Sequence, residues 1–182
     1  MTKNQRPSWD AYFMALAKLA ASRSTCLSRP TGCVIIRDKQ VLSTGYNGSM
    51  PGVAHCLDEG ICYRRSIDAP DAGKYDFCRS VHAEANAVAL AAKTGISLDN
   101  SIAYMTLFPC YVCTKLLVRA GIKEIIYEMD YQSKNALRDQ HWQEVFKEAQ
   151  IKIREFDLTS SEKNFFSAFI QNETSKRRME SE

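Results

Sequence analysis

The chain has 182 residues, 45% apolar and 25% charged, which is the ordinary balance of one globular domain and excludes fibrous and disordered classes. Lysine and arginine total 24 against 21 acids, and the net charge of +3 is too small to argue for nucleic acid or an anionic membrane. No apolar run approaches the ~18 residues of a membrane span.

Seven cysteines accompany three histidines. The opening stretch MTKNQRPSWDAYF has no apolar signal core or small-residue cleavage site, so a cytoplasmic chain is expected. In that compartment close-set cysteines point to metal or catalysis before disulfides.

Residues 8–24 are predicted as a helix, with Ser8 as N-cap and Trp9, Phe13, Leu16 and Ala20 recurring on one face. Cys33–Arg37 and Gln40–Tyr46 are β-branched runs separated by Asp38-Lys39, a hairpin. Asn47 to Arg79 is rich in Gly, Pro, Asp and Cys without sustained periodicity; such a segment inside a compact domain is functional or cross-linked. Residues 82–94 are Ala-rich and helical, closed by Gly95. Ser101–Leu107 is a strand, Pro109–Ala120 a helix followed by Gly121, and Lys123–Glu128 another strand. A helix over 135–149, a strand over 150–157 and a helix over 161–171 precede the charged, frayed tail TSKRRMESE. The alternation in the second half argues a sheet with helical crossovers. One domain over 1–182 is expected, with its core at about 8–157 and the final helix and tail in 158–182.

The strongest chemical signal pairs His82-Ala83-Glu84 with Pro109-Cys110-Tyr111-Val112-Cys113. A catalytic zinc takes three protein ligands of nitrogen and sulfur and keeps a fourth position open. His82, Cys110 and Cys113 supply that count, and two thiolates with a neutral imidazole balance the ion's charge. The cysteine pair opens a helix, where free N–H groups and the dipole favour thiolates. Residues i and i+2 do not share a helix face, so His82 and Glu84 belong at a helix entrance, with Glu84 aimed at the ion's water and the substrate. A carboxylate there is suited to shuttle a proton. A lone Cys-x-x-Cys reads equally as a redox pair; its conjunction with His-x-Glu favours zinc.

This H-x-E … P-C-x-x-C pattern is the signature of zinc-dependent nucleobase deaminases. From Trp9 to Tyr131 the chain resembles the cytidine deaminase superfamily, and within it the deoxycytidylate deaminase branch. The resemblance rests also on Arg23 with Ser24, Thr31-Gly32-Cys33-Val34-Ile35-Ile36, Gly45-Tyr46-Asn47-Gly48, Val81-His82-Ala83-Glu84-Ala85-Asn86-Ala87, Tyr104 to Cys110, and Ala120 to Tyr127. Cys33 stands where the family usually has Ala, a small-for-small change. The resemblance implies a three-layer α/β/α cytidine deaminase-like fold with a mixed five-stranded sheet. It implies zinc-dependent hydrolysis of dCMP to dUMP and ammonia, supplying the dTMP pathway, with Glu84 passing a proton to N3 of cytosine and aiding departure of the amino group. A homo-oligomer, frequently a hexamer, with dCTP as activator and dTTP as inhibitor, is implied as well.

By similarity Asn47 would bond the deoxyribose hydroxyl and the Ala83 N–H the pyrimidine carbonyl; an Asn-Gly pair also reads simply as a tight turn. Arg64, Arg65, Tyr131 and Ser49 are the candidates for the phosphate, although a basic pair in a loop is also ordinary solvated surface. Cys26, Cys56, Cys62 and Cys78, with His55 as substitute, match positions where some members of the branch hold a second, structural zinc. Reduced buried thiols are the other reading. Two rival functions stay open: a related deaminase acting on another cytosine nucleotide, a nucleoside or a tRNA adenosine, and a non-catalytic zinc-stabilised competence or nucleic-acid-binding paralogue. Glu84 discriminates, because a structural zinc site has no use for it. Phe165, Phe166, Phe169 and Ile170 are expected to pack on the domain or on a neighbouring subunit.

Overall fold

The computed structural model describes residues 6–67, 76–130 and 135–171. Helix α1 (Trp9–Ala21) leads into the hairpin β1 (Gly32–Arg37) and β2 (Gln40–Tyr46). The short strand β3 (Gly48–Ser49), the single-turn helices α2 (Cys56–Glu59) and α3 (Tyr63–Ser66), and β4 (Ser80–Val81) follow. Then come α4 (Ala83–Thr94), β5 (Ser101–Leu107), α5 (Tyr111–Arg119), β6 (Ile122–Met129), α6 (Ala136–Glu148), β7 (Lys152–Glu155) and α7 (Ser160–Ile170). The tail beyond Gln171, expected to fray, lies outside the described residues.

The main sheet runs β2-β1-β5-β6-β7. β1 is antiparallel to both β2 and β5, whereas β5, β6 and β7 are parallel. The sheet is therefore mixed and five-stranded, as expected, because a two-residue turn forces antiparallel pairing and a helical crossover permits parallel pairing. Asp38 and Lys39 both carry positive φ (52° and 61°), the turn geometry that matches strand twist. One face packs Cys33, Ile35, Ala103, Met105 and Ile125 against α4 and Leu117 of α5. The other packs Val34, Ile36, Tyr104 and Ile126 against α1, with Phe166 of α7 alongside. Alternate residues of one strand thus serve opposite layers, which is the period-2 consequence of the pleat.

Helix α1 is rotated from its expected face. Ser8 caps it as predicted, accepting from Ala11 N at 3.1 Å. The buried stripe, however, is Ala11, Phe13, Met14, Ala17 and Ala21, while Trp9 is exposed and Leu16 and Ala20 only partly covered. Gly32 is the reason: a Cβ there would run into Ala17 O and stand 2.6 Å from Ala21 N. The helix can settle directly on β1 only with its small-residue side down. Tyr104 Oη donates to Asp10 Oδ1 at 2.6 Å, and Arg154 binds both Asp10 oxygens at 2.9 Å and Glu124 at 2.7 Å, joining α1, β5, β6 and β7.

Two boundaries also differ. The helix predicted from Pro109 begins at Tyr111, since Cys110 is its extended N-cap (φ −68°, ψ 162°). The last strand shortens from 150–157 to Lys152–Glu155, because Gln150 takes a positive φ of 53° at the turn out of α6. Thr159 caps α7 through a capping box with Glu162.

Candidate metal centre and active site

Two helix entrances converge to make the site. His82 is the N-cap of α4 and Cys110 the N-cap of α5, both in extended conformation and neither spending its side chain on a capping bond. Cys113 lies in the first turn of α5 and is buried. Helix α4 is held against β2 by three devices. Gly45 lets the helix backbone touch the strand, for a Cβ there would collide with Ala83 O and stand 2.6 Å from Ala87 N. Ser43 Oγ donates to Ala87 O at 2.7 Å, and Asn86 Nδ2 donates to Tyr46 O at 2.8 Å. On the other side, Phe108 N donates to Met129 O at 2.8 Å, fixing the turn that carries Cys110.

His82 Nδ1 consequently stands 3.5 Å from Cys110 Sγ and 3.5 Å from Cys113 Sγ. The three ligand atoms lie within 4.8 Å of one another, the only such group of three or more among the described residues. A tetrahedral zinc with bonds of ~2.3 Å to sulfur and ~2.0–2.1 Å to nitrogen separates those atoms by roughly 3.5 Å. The donor set and its spacing therefore fit zinc with one position open.

Electrostatics agree with that use. Cys110 is lowered to about 4, held as a thiolate by the Cys113 thiol and by His82 against the cost of burial. Cys113 is pushed up, because its proton serves the Cys110 sulfur and it is buried near Glu84. A divalent cation held by the two sulfurs would displace the thiol proton. His82 is raised by its bond to Cys110. Glu84 is buried, 7% exposed, one residue into α4 beyond Ala83. Desolvation raises its carboxyl first and the Cys110 charge adds to this, while its own backbone N–H, His82 and Cys113 oppose. A carboxyl held above its usual range beside an ion with an open position is the equipment of metal-assisted hydrolysis. Ala83 begins α4, so its N–H has no partner within the helix.

Asn47 follows β2 and is buried. Its Oδ1 accepts from Ser24 Oγ at 2.6 Å and Thr31 N at 2.8 Å, and its Nδ2 donates to Arg29 O at 2.9 Å. The Asn-Gly is not a hairpin turn; Asn47 clamps the loop after α1. Ser49 Oγ is buried without a hydrogen-bond partner among the described residues. Arg65 donates to Ser28 Oγ at 3.0 Å, and Arg64 lies close enough to Cys78 for its charge to lower that thiol's pKa. Tyr131 lies outside the described residues.

Cys78 sits near Cys26 and Cys62; burial and their charges raise its thiol. Cys56 is buried at the start of α2, where Leu57 N donates to Thr25 O at 3.1 Å. His55 Nδ1 is buried without a hydrogen-bond partner among the described residues. These five residues do not close into a group as tight as the His82 centre. Cys33 is fully buried in the core, as expected. Ser43, which sequence reasoning passed over, grips α4; a serine inside a strand carries no signal of that role.

Comparison with known proteins matches the family described as the cytidine and deoxycytidylate deaminase zinc-binding region over residues 7–129. ComE operon protein 2 of Bacillus subtilis is 39% identical over 155 residues, covering 85% of this chain and 74% of that protein. Deoxycytidylate deaminase of Schizosaccharomyces pombe is 37% identical over 151 residues, covering 83% of this chain. The chain spans under half of that relative's length, 45%. Among solved structures, cyanophage S-TIM5 dCMP deaminase in complex with dCMP and dUMP superposes with a TM-score of 0.63 at 23% identity, over 84% of this chain and 100% of the phage chain. That likeness speaks for the fold.

Proposed function

Because the chain belongs to the cytidine and deoxycytidylate deaminase family, we propose that it hydrolyses dCMP to dUMP and ammonia. The observation that carries this reading is the convergence of His82, Cys110 and Cys113 at zinc spacing beside the buried Glu84. Zinc held by these three residues would supply Lewis acidity and make a water more acidic there. Glu84 takes a proton from the attacking water and delivers it to N3 of cytosine as the C4–O bond forms. It then moves the proton of the new C4 hydroxyl to the exocyclic amine, the C4–N bond breaks, and ammonia leaves. Burial raises the Glu84 carboxyl above its usual range, the direction that favours giving a proton as well as taking one.

The Ala83 N–H faces the pyrimidine carbonyl. Asn47 has two amide hydrogens; Arg29 O holds one, and the other is assigned to the deoxyribose hydroxyl. Ser49, Arg64, Arg65 and Tyr131 meet the phosphate, and the unpartnered Ser49 hydroxyl supports this. A second, structural zinc is held by Cys26, Cys56, Cys62 and Cys78, with His55 as substitute; the nearness of Cys26 and Cys62 to Cys78, and a His55 nitrogen with no partner among the described residues, support it. Bound zinc near two equivalents per chain agrees with that site, and near one defeats it. The protein is a single-domain cytoplasmic homo-oligomer, a hexamer regulated by dCTP and dTTP, feeding dTMP synthesis. No helix among the described residues is long and apolar enough to cross a membrane.

The relative named only for its operon keeps a second reading in view, a zinc-stabilised module without catalysis. The deciding experiment incubates the zinc-loaded protein separately with cytidine, CMP, dCMP and dCTP, with and without dCTP as effector, and follows loss of the cytosine absorbance. Turnover of dCMP is expected; none on any substrate would overturn the enzyme reading.

A further inference from the structure

We propose that Trp142 and Phe146 of α6 are positioning residues that clamp the turn carrying Cys110 and so keep the metal in place. Among the described side chains of α6 none is buried, and two aromatic contacts join the helix to the ligand turn. Trp142 stacks on Tyr111 with centroids 4.7 Å apart and planes 20° from parallel. Phe146 packs on Phe108 at 6.2 Å, and Phe108 in turn sits edge-on to Tyr127 of β6 at 4.9 Å. Cations extend the first pair into a column: Lys115 lies 4.8 Å from the Tyr111 ring and Arg138 5.0 Å from the Trp142 ring.

Phe108 and Tyr111 bracket Pro109 and Cys110, so α6 grips both ends of the ligand turn. An ion leaves when a ligand swings away. Cys113 is buried inside α5, and His82 is fixed by the grip of α4 on β2. Cys110, like His82, is half-buried at a helix entrance with no side-chain capping bond, but it lacks the grip on β2 that holds the entrance of α4. The ring column supplies that restraint from a segment in which the sequence shows no motif. Stacked and edge-on aromatic pairs contribute beyond their buried area, and the flanking cations add to the Tyr111 and Trp142 faces.

The inference rests on the zinc reading of His82, Cys110 and Cys113. Its test is release of zinc from the loaded full-length chain into excess 4-(2-pyridylazo)resorcinol, followed by absorbance well below each variant's thermal midpoint. Trp142→Ala and Trp142→Leu are expected to release zinc at least about threefold faster than wild type, the worth of one aromatic pair expressed as a rate. Trp142→Phe, which keeps a ring to stack, is expected to stay near the wild-type rate. Phe166→Ala, on the opposite face of the sheet, controls for general loosening. If the alanine variant does not fold, the leucine variant carries the measurement. A smaller change in the folded Trp142→Ala and Trp142→Leu variants, or equal acceleration by Phe166→Ala, would overturn the clamp. A wild-type chain that yields no zinc would overturn the metal centre and the clamp together, a result told apart by absent signal in every sample.

Discussion

Replacing Gly45 by Ala tests whether the contact between β2 and α4 sets the metal geometry. The added methyl would collide with Ala83 O, stand 2.6 Å from Ala87 N and lie 3.1 Å from Ala87 Cα. Ordinary contacts are ~3.5 Å, so strand and helix must part by more than about 1 Å. β2 is an edge strand and is free to bend outward, but doing so stretches the Ser43–Ala87 and Asn86–Tyr46 bonds and carries Asn47 away. If α4 yields instead, His82 leaves its 3.5 Å separations from the two sulfurs. Metal–ligand distances tolerate only ~0.2 Å. The expected cost is about 1–3 kcal/mol of stability for overpacking and on the order of a hundredfold in kcat/KM for the misplaced groups. Urea midpoints measure the first and initial rates on dCMP the second, with zinc content followed by chelator titration. A folded Gly45→Ala protein with full zinc and kcat/KM within about twofold of wild type would refute the reasoning.

Other outcomes follow from single contacts. Glu84→Gln should keep zinc and lose about 10²–10⁴ in kcat, since the amide cannot carry the proton; wild-type turnover would remove Glu84 from the mechanism. Cys113→Ala should lose the metal itself, read as bound zinc in the purified protein. Asp10 is partly desolvated, which raises its pKa, but hydrogen bonds from Arg154 and Tyr104 prevail and lower it below the usual 3.8. Its contribution is therefore complete above that value and is lost as pH falls below it. Asp10→Asn should be less stable than wild type at neutral pH and should flatten that acid limb, measured by urea midpoints; an unchanged limb would dismiss the network. Thr159→Ala removes the capping box of α7 and should cost about 1 kcal/mol by the same assay, with little change in turnover.

Local chemistry was readable wherever its spacing is short. His-x-Glu and Cys-x-x-Cys announce a zinc set because a helix entrance places such residues within one turn of each other. The hairpin at Asp38-Lys39, the Ser8 cap and the Gly95 stop are readable for the same reason. The face α1 buries was not, because it depends on Gly32 against Ala17 and Ala21 from another element. The start of α5 at Tyr111 was missed because Pro109 is compatible with a first turn, whereas Cys110 stays extended beside His82.

Taken alone, the residues pointed to candidate ligands, a candidate proton carrier and the order of the main-sheet strands and the longer helices, since each depends on neighbours a few positions away; β3, β4, α2 and α3 were not foreseen. Tertiary structure decided that residues 82 and 110, 28 apart, meet at 3.5 Å. It also decided that Gly45 sets the height of α4 and that Trp142 stacks on Tyr111. Those contacts join segments whose separation no local periodicity encodes; only the packing of layers across the sheet brings them together.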